Sequence, residues 1–250
     1  MSFRDLIKSD RGKGTGSGEP LPDKPKGVSG RALHAAVERA LRVQQPVAAS
    51  HVARIRRNKP QATPADVIAT LEKQYLVTVG GTGAAAGGVA FLPGIGTAAA
   101  LASGAAEAVA ALDASVLYTL AVAEVYGLHL EDVERRRTLV LAVILGEGGT
   151  KFMQRATGGS THWANQLVET LPLPKLGRVN QTLVRWFVRR YVTRQGALAF
   201  GRALPLGAGV VIGAVGNVTT ARAVIRATER AFGPPPAQWP SQAPSPAIEA

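Results

Sequence analysis

Hydrophobic positions recur every three or four residues along most of the chain, which is the period of an amphipathic helix. Thr63 before Pro64, with Asp66 in the first turn, is a clear helix start signal. Gly127 suits a helix end, and Pro46 is expected to end the first helix. The glycines of residues 146–161 predict a loop. The sequence thus predicts an all-α fold, a helical bundle with helices over residues 30–45, 47–57, 64–79, 132–145, 162–171, 180–195 and 217–232.

Residues 77–106 form the most unusual segment, because 30 consecutive positions carry no charge and most are Ala or Gly. Small residues at a four-residue spacing let a helix approach its neighbour closely, in lipid or in a soluble bundle. A Leu-Pro-Gly-Ile-Gly step divides the segment, so we expect a helical hairpin that turns at residues 92–96. Its predicted turn and close-packing positions are Gly83, Gly87, Pro93, Gly94, Gly96 and Gly104.

A second segment near the C-terminus repeats this order of features in weaker form. Residues 200–225 contain a Leu-Pro step at Pro205, followed by Gly209 and Gly213 four residues apart. We interpret the two segments as related glycine-rich hairpins that pack together in one bundle.

The length of residues 77–106 does not by itself make them a membrane anchor. The first arm, residues 77–91, makes roughly 22 Å of helix, short of a hydrocarbon core of about 30 Å. The second arm carries Glu107 and Asp113, and a carboxylate at the bilayer centre costs about 3 kcal/mol or more. A shallow hairpin and a soluble core both stay open. These two acids are expected to be buried, where they either handle protons or ions or pair with arginines from the second half of the chain.

The segment 180–195 is the most amphipathic helix. Val184, Phe187, Val188 and Tyr191 share one face, and arginines flank that face. This pattern is typical of an interfacial helix that contacts anionic lipid, and equally of a bundle helix with a solvated basic edge. The candidate lipid contacts are Arg185, Arg189, Arg190 and Arg194.

Charge and cysteine content narrow the class of protein. The net charge is +12, and residues 175–230 hold ten basic residues and one acid. Such an excess favours an anionic membrane surface or nucleic acid as partner. There is no cysteine and no apolar stretch at the N-terminus, so we expect a protein of the cytoplasmic side. The composition predicts a disordered basic arm (1–29), one all-α domain (30–233) and a Pro-rich disordered tail (234–250).

No catalytic or cofactor constellation is visible in the sequence. A dinucleotide-type GxGxxA turn at residues 81–86 lacks the strands that the motif requires. The four histidines (His34, His51, His129 and His162) have no metal-ligand spacing. We therefore expect no enzyme activity, no cofactor, no metal and no small-molecule substrate. Nucleic-acid binding has the required charge but lacks a stacking platform of aromatic residues.

Several phrases taken in order resemble the EcsC family. They are ATPADVIATLEKQYL, the Gly/Ala run with LPGIG, AVAEVYGLHLEDVERRRTLVLAVILGE, and LPLGAGVVIGAVGN with a following FGPPP, within residues 62–236. The family is named for a gene product encoded beside a bacterial ABC transporter, and the Ala/Arg-rich composition is similar to that of actinobacterial proteins. The resemblance implies a membrane-associated protein without an established activity, and it supplies no catalytic residues.

The expected function is a non-enzymatic accessory protein at the cytoplasmic face of the membrane, held peripherally or by the hairpin. The resemblance links such a role to ABC transport, secretion or the envelope, with an anionic membrane surface and a membrane protein as partners. The alternative is a soluble basic helical module that binds an acidic protein or nucleic acid.

Overall fold

The computed structural model describes residues 28–89, 97–128, 130, 132–202 and 208–240. Within these ranges every regular element is helical, so the predicted all-α fold is confirmed. The described part contains eight helices: α1 Val28–Asn58, α2 Pro64–Val89, α3 Thr97–Val125, α4 Val133–Ile144, α5 Glu147–Ala156, α6 Trp163–Thr170, α7 Leu173–Arg202 and α8 Ala208–Phe232.

Helix α1 runs through Pro46, and the prediction that this proline ends the helix is wrong. A proline inside a helix costs about 3 kcal/mol because it removes one backbone hydrogen bond and crowds the preceding turn. Apolar residues on both sides of Pro46 bury one face of the helix, and α1 packs along α3. Burial on both sides offsets that cost. The buried residues are Val37, Ala40 and Leu41 before the proline and Ala48, Val52 and Ile55 after it.

Helix α2 begins with the predicted cap. The Thr63 N–H donates to Asp66 Oδ2 at 2.9 Å, and the Asp66 N–H donates to Thr63 Oγ1 at 3.2 Å. The two residues thus satisfy each other's backbone donors, as in a capping box. The Asp66 carboxylate also accepts from the Thr63 hydroxyl at 2.7 Å, and this bond together with the one from the Thr63 N–H holds the pKa of the carboxyl below its usual value. The helix continues without a break to Val89, so it includes residues 77–89 of the predicted first arm of the hairpin.

Helix α3 ends at Val125, and Gly127 caps it, as predicted. Gly127 has φ +68°, its N–H donates to the Glu124 carbonyl at 3.0 Å, and the Leu128 N–H donates to the Ala123 carbonyl at 2.9 Å. This pair of bonds is the Schellman arrangement that glycine favours.

The C-terminal segment 233–240 packs against the bundle, so the prediction of a disordered tail from residue 234 is wrong for this segment. The Trp239 indole N–H donates to the Ala62 carbonyl at 3.1 Å, and Arg56 lies 4.1 Å from the Trp239 ring centroid. The Tyr126 hydroxyl donates to the Gly233 carbonyl at 2.6 Å. We call residues 233–240 the C-terminal strap. It joins the ends of α1, α3 and α8.

Helix α4 follows the predicted boundaries. The Asp132 side chain caps it by accepting from the Arg135 N–H at 2.9 Å, and residues 138–143 are buried, as expected of a core segment. The predicted loop at residues 146–161 is wrong, because α5 occupies Glu147–Ala156. The packing of the two helices explains why residue 149 is a glycine: a Cβ there would lie 2.1 Å from the Ala142 carbonyl oxygen. The glycine permits close contact between α4 and α5 rather than a loop.

A polar network joins α1, α4 and α7. Arg137 makes a bidentate pair with Glu38 at 2.8 and 2.7 Å, and it also contacts Glu134. Asn180 donates to the Glu134 carboxylate at 2.7 Å and accepts from the Thr138 hydroxyl at 2.8 Å. Each charged group is therefore bonded by the others, and the network fixes which face of α4 meets its two neighbours.

Candidate functional site

The directions of α2 and α8 follow from their contacts. Gly80 approaches Val218, with 3.4 Å between a Cβ at Gly80 and the valine Cγ2, and the Asn217 side chain donates to the Val79 carbonyl at 3.5 Å. Further along, burial and then the negative charge of Glu229 raise the pKa of Glu72, which places Glu229 near Glu72. Residue numbers rise on one helix as they fall on the other, so the pair is antiparallel. The end of α2 and the start of α8 therefore lie at the same end of the bundle.

Helix α3 brings its start to that end as well. The Tyr75 hydroxyl is 2.7 Å from the Ser115 hydroxyl, and the Tyr75 and Tyr118 rings stack with centroids 4.7 Å apart. Burial and the charge of Glu72, one turn before Tyr75, raise the pKa of Tyr118, one turn after Ser115. Residues 72 and 75 therefore lie near residues 118 and 115, so helices α2 and α3 form an antiparallel pair, which agrees with the hairpin that the sequence predicts. The Tyr75 ring is buried, and burial raises the pKa of its hydroxyl to about 12.

Helix α7 reaches the same end from another side. It packs against α8, and residues 203–207 alone separate the end of α7 from the start of α8. A chain of that length spans at most about 20 Å. The two glycine-rich segments, far apart in sequence, thus meet at one end of the molecule.

We define the uncharged pole as the helical residues 80–89, 97–106 and 208–217, which contain no charged residue. The predicted close-packing glycines Gly83, Gly87, Gly104, Gly209 and Gly213 all lie in these helical segments, though the structure does not describe their side-chain surroundings. The predicted turn residues Pro93, Gly94, Gly96 and Pro205 lie outside the described residues. The pole is an assembly of helix ends.

Large apolar side chains are exposed beside the pole. Val77 on α2 is 67% exposed, the highest value among the large hydrophobic residues that the structure describes. Val109 on α3 is 38% exposed. Both valines lie just below the pole on the two arms of the hairpin. Val47 and Val133, elsewhere on the surface, are each 40% exposed, so Val109 is not unusual and Val77 alone stands out.

The arginines of α7 are at the surface, whereas its apolar face is in the core. Phe187 is 3% exposed, and Val184 and Val188 pack partly buried against the core. Arg185, Arg189 and Arg190 are exposed; the Arg194 side chain lies outside the described set, as does that of Tyr191. Up to Val188 this helix therefore uses its apolar face as a bundle helix does. Its contribution to binding an anionic surface would come from charge.

Asp113, one of the two predicted buried acids, is half-buried. Burial raises the pKa of its carboxyl, and the positive charge of Arg39 on α1 opposes that shift. The prediction that this acid pairs with arginines from the second half of the chain is wrong for Asp113, because the opposing cation comes from the first helix. The side chain of Glu107 lies outside the described set.

A carboxylate pair between α2 and α8 was not foreseen from the sequence. Burial raises the pKa of the Glu72 carboxyl, and the negative charge of Glu229 adds to the shift. Burial and the same two carboxylates raise the pKa of Tyr118 and bring that of Tyr126 to about 12. Only the antiparallel packing of two distant helices brings these groups together, so no local signal could have revealed them.

Arg136 lines a small cavity of about 50 Å³ between α1, α3 and α4. Burial lowers the pKa of its guanidinium, which donates to the Leu130 carbonyl at 2.9 Å. Glu124 and Gln45 line the same cavity, which has room for about one or two water molecules. A buried guanidinium bonded to a backbone carbonyl in so small a space suits a structural role.

Metal and cofactor sites do not emerge from the described residues. In those ranges no three His, Cys, Asp or Glu side chains group as metal ligands. His51 hydrogen-bonds Gln74 and Arg54 at the surface, and the His162 ring lies against Gly233. Residues 81–86, which match a dinucleotide turn in sequence, lie within the helix α2.

Among the helices as far as they are described, none is both long enough and apolar enough to cross a membrane. No protein-family model matches the chain, and no curated protein or solved structure matches it either. The resemblance to the EcsC family therefore stays a prediction.

Proposed function

We propose that this protein is a non-enzymatic accessory protein that binds the cytoplasmic face of a membrane, either peripherally or with its hairpin end in contact with lipid. The observation that carries the proposal is the meeting of both uncharged segments at one pole. These segments carry no charge, and Val77, the most exposed large hydrophobic residue in the described ranges, lies beside them. The exposed arginines of α7 supply the charge that an anionic lipid surface attracts.

The family resemblance points in the same direction. The phrases within residues 62–236 resemble EcsC proteins, which are described as membrane-associated and without an established activity. A role beside a transporter or in envelope processes, with a membrane protein as a further partner, belongs to the same proposal.

Vesicle flotation tests the proposal. The full chain is mixed with vesicles of phosphatidylcholine alone or with 30% phosphatidylglycerol, at low and at high salt. We expect flotation with the anionic vesicles at low salt and a weaker association at high salt, because screening shortens the reach of the arginine charges. A chain that stays in the dense fraction with anionic vesicles at low salt contradicts membrane binding.

The second candidate is a soluble basic module for an acidic protein or nucleic acid. Arg222, Arg226 and Arg230 are exposed at a four-residue spacing on α8 and form a basic row that leads away from the pole. Filter binding of duplex DNA over a salt series distinguishes this function, since the affinity for phosphates falls steeply with salt. Tight, salt-sensitive DNA binding together with no flotation favours this candidate over the membrane.

A further inference from the structure

We infer that the protein docks peripherally on an anionic phospholipid surface through one side of α7, along a row of three exposed arginines. This inference rests on the proposed membrane function and selects the peripheral one of its two modes. The arginine row consists of Arg178, Arg185 and Arg189, whose side chains all lie at the surface. Because a single helix carries all three, their relative positions do not depend on how the helices of the bundle pack.

The arginine row faces away from the core. A helix turns by about 100° per residue, so the three arginines lie within an arc of about 40°. Leu183 and Phe187, which are buried in the core, lie about 140° and 180° round the helix from the middle of the row. Along the helix axis the row spans about 16 Å. Side chains in so narrow an arc can all reach one flat surface at the same time.

The sequence of α7 provides no acid to balance these charges. Residues 171–228 contain no Asp or Glu, so ion pairs between neighbouring turns of α7 cannot form. Arg185 and Arg189 are four residues apart, a spacing at which like charges destabilise a helix. Glu134 on α4 does contact α7, but it does so on the core side, through Asn180, and it also pairs with Arg137. An anionic surface outside the protein would relieve the repulsion within the row.

The basic row of α8 has the same number of exposed arginines, but acids lie beside it. Glu229 belongs to the same helix and directly precedes Arg230. The hydrogen bond and ion pair with Lys151 lower the pKa of the Glu147 carboxyl on α5, and the charge of Arg230 adds to this, so Arg230 lies near a second acid. We therefore expect the arginine row of α7 to attract an anionic surface more strongly than the basic row of α8 does.

Trp186 favours lipid as the anionic partner. Its side chain is partly buried against the core, and its ring packs edge-on against that of Phe152, with 5.3 Å between the centroids. It lies about 60° round the helix from Arg189. A tryptophan has an apolar body and a polar N–H, which suits the head-group layer of a membrane. Cations beside an amphipathic aromatic residue are typical of helices that lie on a membrane surface.

A matched pair of triple variants tests the docking surface. The first replaces the arginine row of α7 (Arg178→Gln, Arg185→Gln and Arg189→Gln), and the second replaces the basic row of α8 (Arg222→Gln, Arg226→Gln and Arg230→Gln). Each variant lowers the net charge by three, from +12 to +9, and changes only exposed side chains. Circular dichroism confirms that each variant folds. The full-length proteins are titrated at low salt with phosphatidylcholine vesicles containing 30% phosphatidylglycerol, and separately with duplex DNA.

We expect the α7 variant to bind the vesicles roughly a hundredfold more weakly than the wild type. This is about fivefold for each charge, since a basic residue near an anionic surface contributes about 1 kcal/mol. The α8 variant should bind within about fivefold of the wild type.

The other outcomes overturn the inference in distinguishable ways. Equal losses in the two variants would mean that net charge alone attracts the protein, and a larger loss in the α8 variant would place the contact on α8. A wild type that binds vesicles, with an α7 variant that binds equally well, overturns the arginine row and leaves the proposed function standing. A wild type that binds DNA and no vesicles overturns both.

A second measurement locates the contact without removing a charge. The chain has no cysteine, so Gln181→Cys on α7 and Val77→Cys on α2 each create one labelling site at an exposed residue. Gln181 lies between Arg178 and Arg185, about one turn from each, and Val77 lies beside the uncharged pole. An environment-sensitive dye should become brighter and blue-shifted on vesicle binding at residue 181 and stay unchanged at residue 77. A response at residue 77, or none at residue 181, contradicts peripheral docking through α7.

Discussion

Individual glycines of this chain serve different purposes that their identity alone does not distinguish. Gly146 has φ +68°, a backbone conformation that glycine adopts readily, and it precedes α5. Gly148 lies in α5 with open space where a Cβ would be, whereas a Cβ at Gly149 would overlap the Ala142 carbonyl. From the sequence alone, the three glycines predicted a loop. Their different roles become visible only in the structure, where α4 packs against Gly149.

Alanine substitutions at two adjacent glycines test this distinction. We expect Gly149→Ala to destabilise the protein by about 3 kcal/mol, because the new methyl group meets a backbone atom that has no room to move. Gly148→Ala should stabilise it by about 0.5–1 kcal/mol through helix propensity. Urea unfolding monitored by circular dichroism measures both. Equal effects of the two substitutions would contradict the close contact between α4 and α5.

Between elements, the contact of α2 with α8 places two carboxylates near each other. Glu72 is partly buried, and burial together with Glu229 raises the pKa of its carboxyl. A raised pKa in the folded state means that the folded protein binds more protons than the unfolded chain between the two pKa values. Stability from this group is thus fully present below the ordinary glutamate pKa of 4.5 and is lost as the pH rises through the raised value.

The substitution Glu72→Gln is expected to remove the loss of stability that the wild type shows as the pH rises. The free energy of unfolding of the variant should equal that of the wild type near pH 4. At pH 7 it should be larger by less than about 1 kcal/mol, since solvent screens a partly exposed charge. Unfolding in urea at both pH values gives the difference.

The matched control is Glu229→Gln. This substitution removes only the repulsion between the two carboxylates and leaves Glu72 buried. It should therefore raise the free energy of unfolding at pH 7 by less than Glu72→Gln does. A Glu72→Gln variant that is less stable than the wild type at pH 7, or a difference that does not vary with pH, would show that the carboxylates are not strained by this interface.

At the scale of the whole molecule, the C-terminal strap closes the end of the bundle opposite the pole. Trp239 reaches Ala62 in the connection between α1 and α2, and Pro240 lies against Gly127, where a Cβ would come within 2.7 Å of it. The strap therefore holds together segments that are more than 170 residues apart in the chain. The two ends of the molecule differ: packed aromatic residues fix one end, and the uncharged ends of α2, α3 and α8 meet at the other.

Removing the Trp239 side chain should weaken this closure. We expect Trp239→Ala to cost about 2 kcal/mol, less than a core tryptophan, because the ring is only partly buried and stacks on Arg56. Trp239→Phe keeps a ring over the arginine and loses the hydrogen bond to Ala62, so we expect it to lower the free energy of unfolding by about 1 kcal/mol. Thermal and urea unfolding rank the three proteins. An alanine variant as stable as the wild type would mean that the strap does not contribute to folding.

The sequence by itself determined the features that local physics controls. The cap at Thr63 and the helix end signal at Gly127 depend on residues within a few positions of each other, and the structure confirms both. The predicted helix over residues 132–145 is also found, as α4. The hydrophobic period also predicted the all-α fold and the buried centre of α4. Each of these is decided by side chains and backbone groups that are neighbours in the chain.

Tertiary structure alone decided the rest. A proline is tolerated in α1 because the residues before and after it pack against α3. A glycine is needed at position 149 of α5 because Ala142 lies against it. The uncharged pole exists because α2 and α8 run antiparallel, which brings together residues that are 138 positions apart in the chain, such as Val79 and Asn217. Such long-range burial outweighs local preferences of about 1–3 kcal/mol, and no window of sequence contains it.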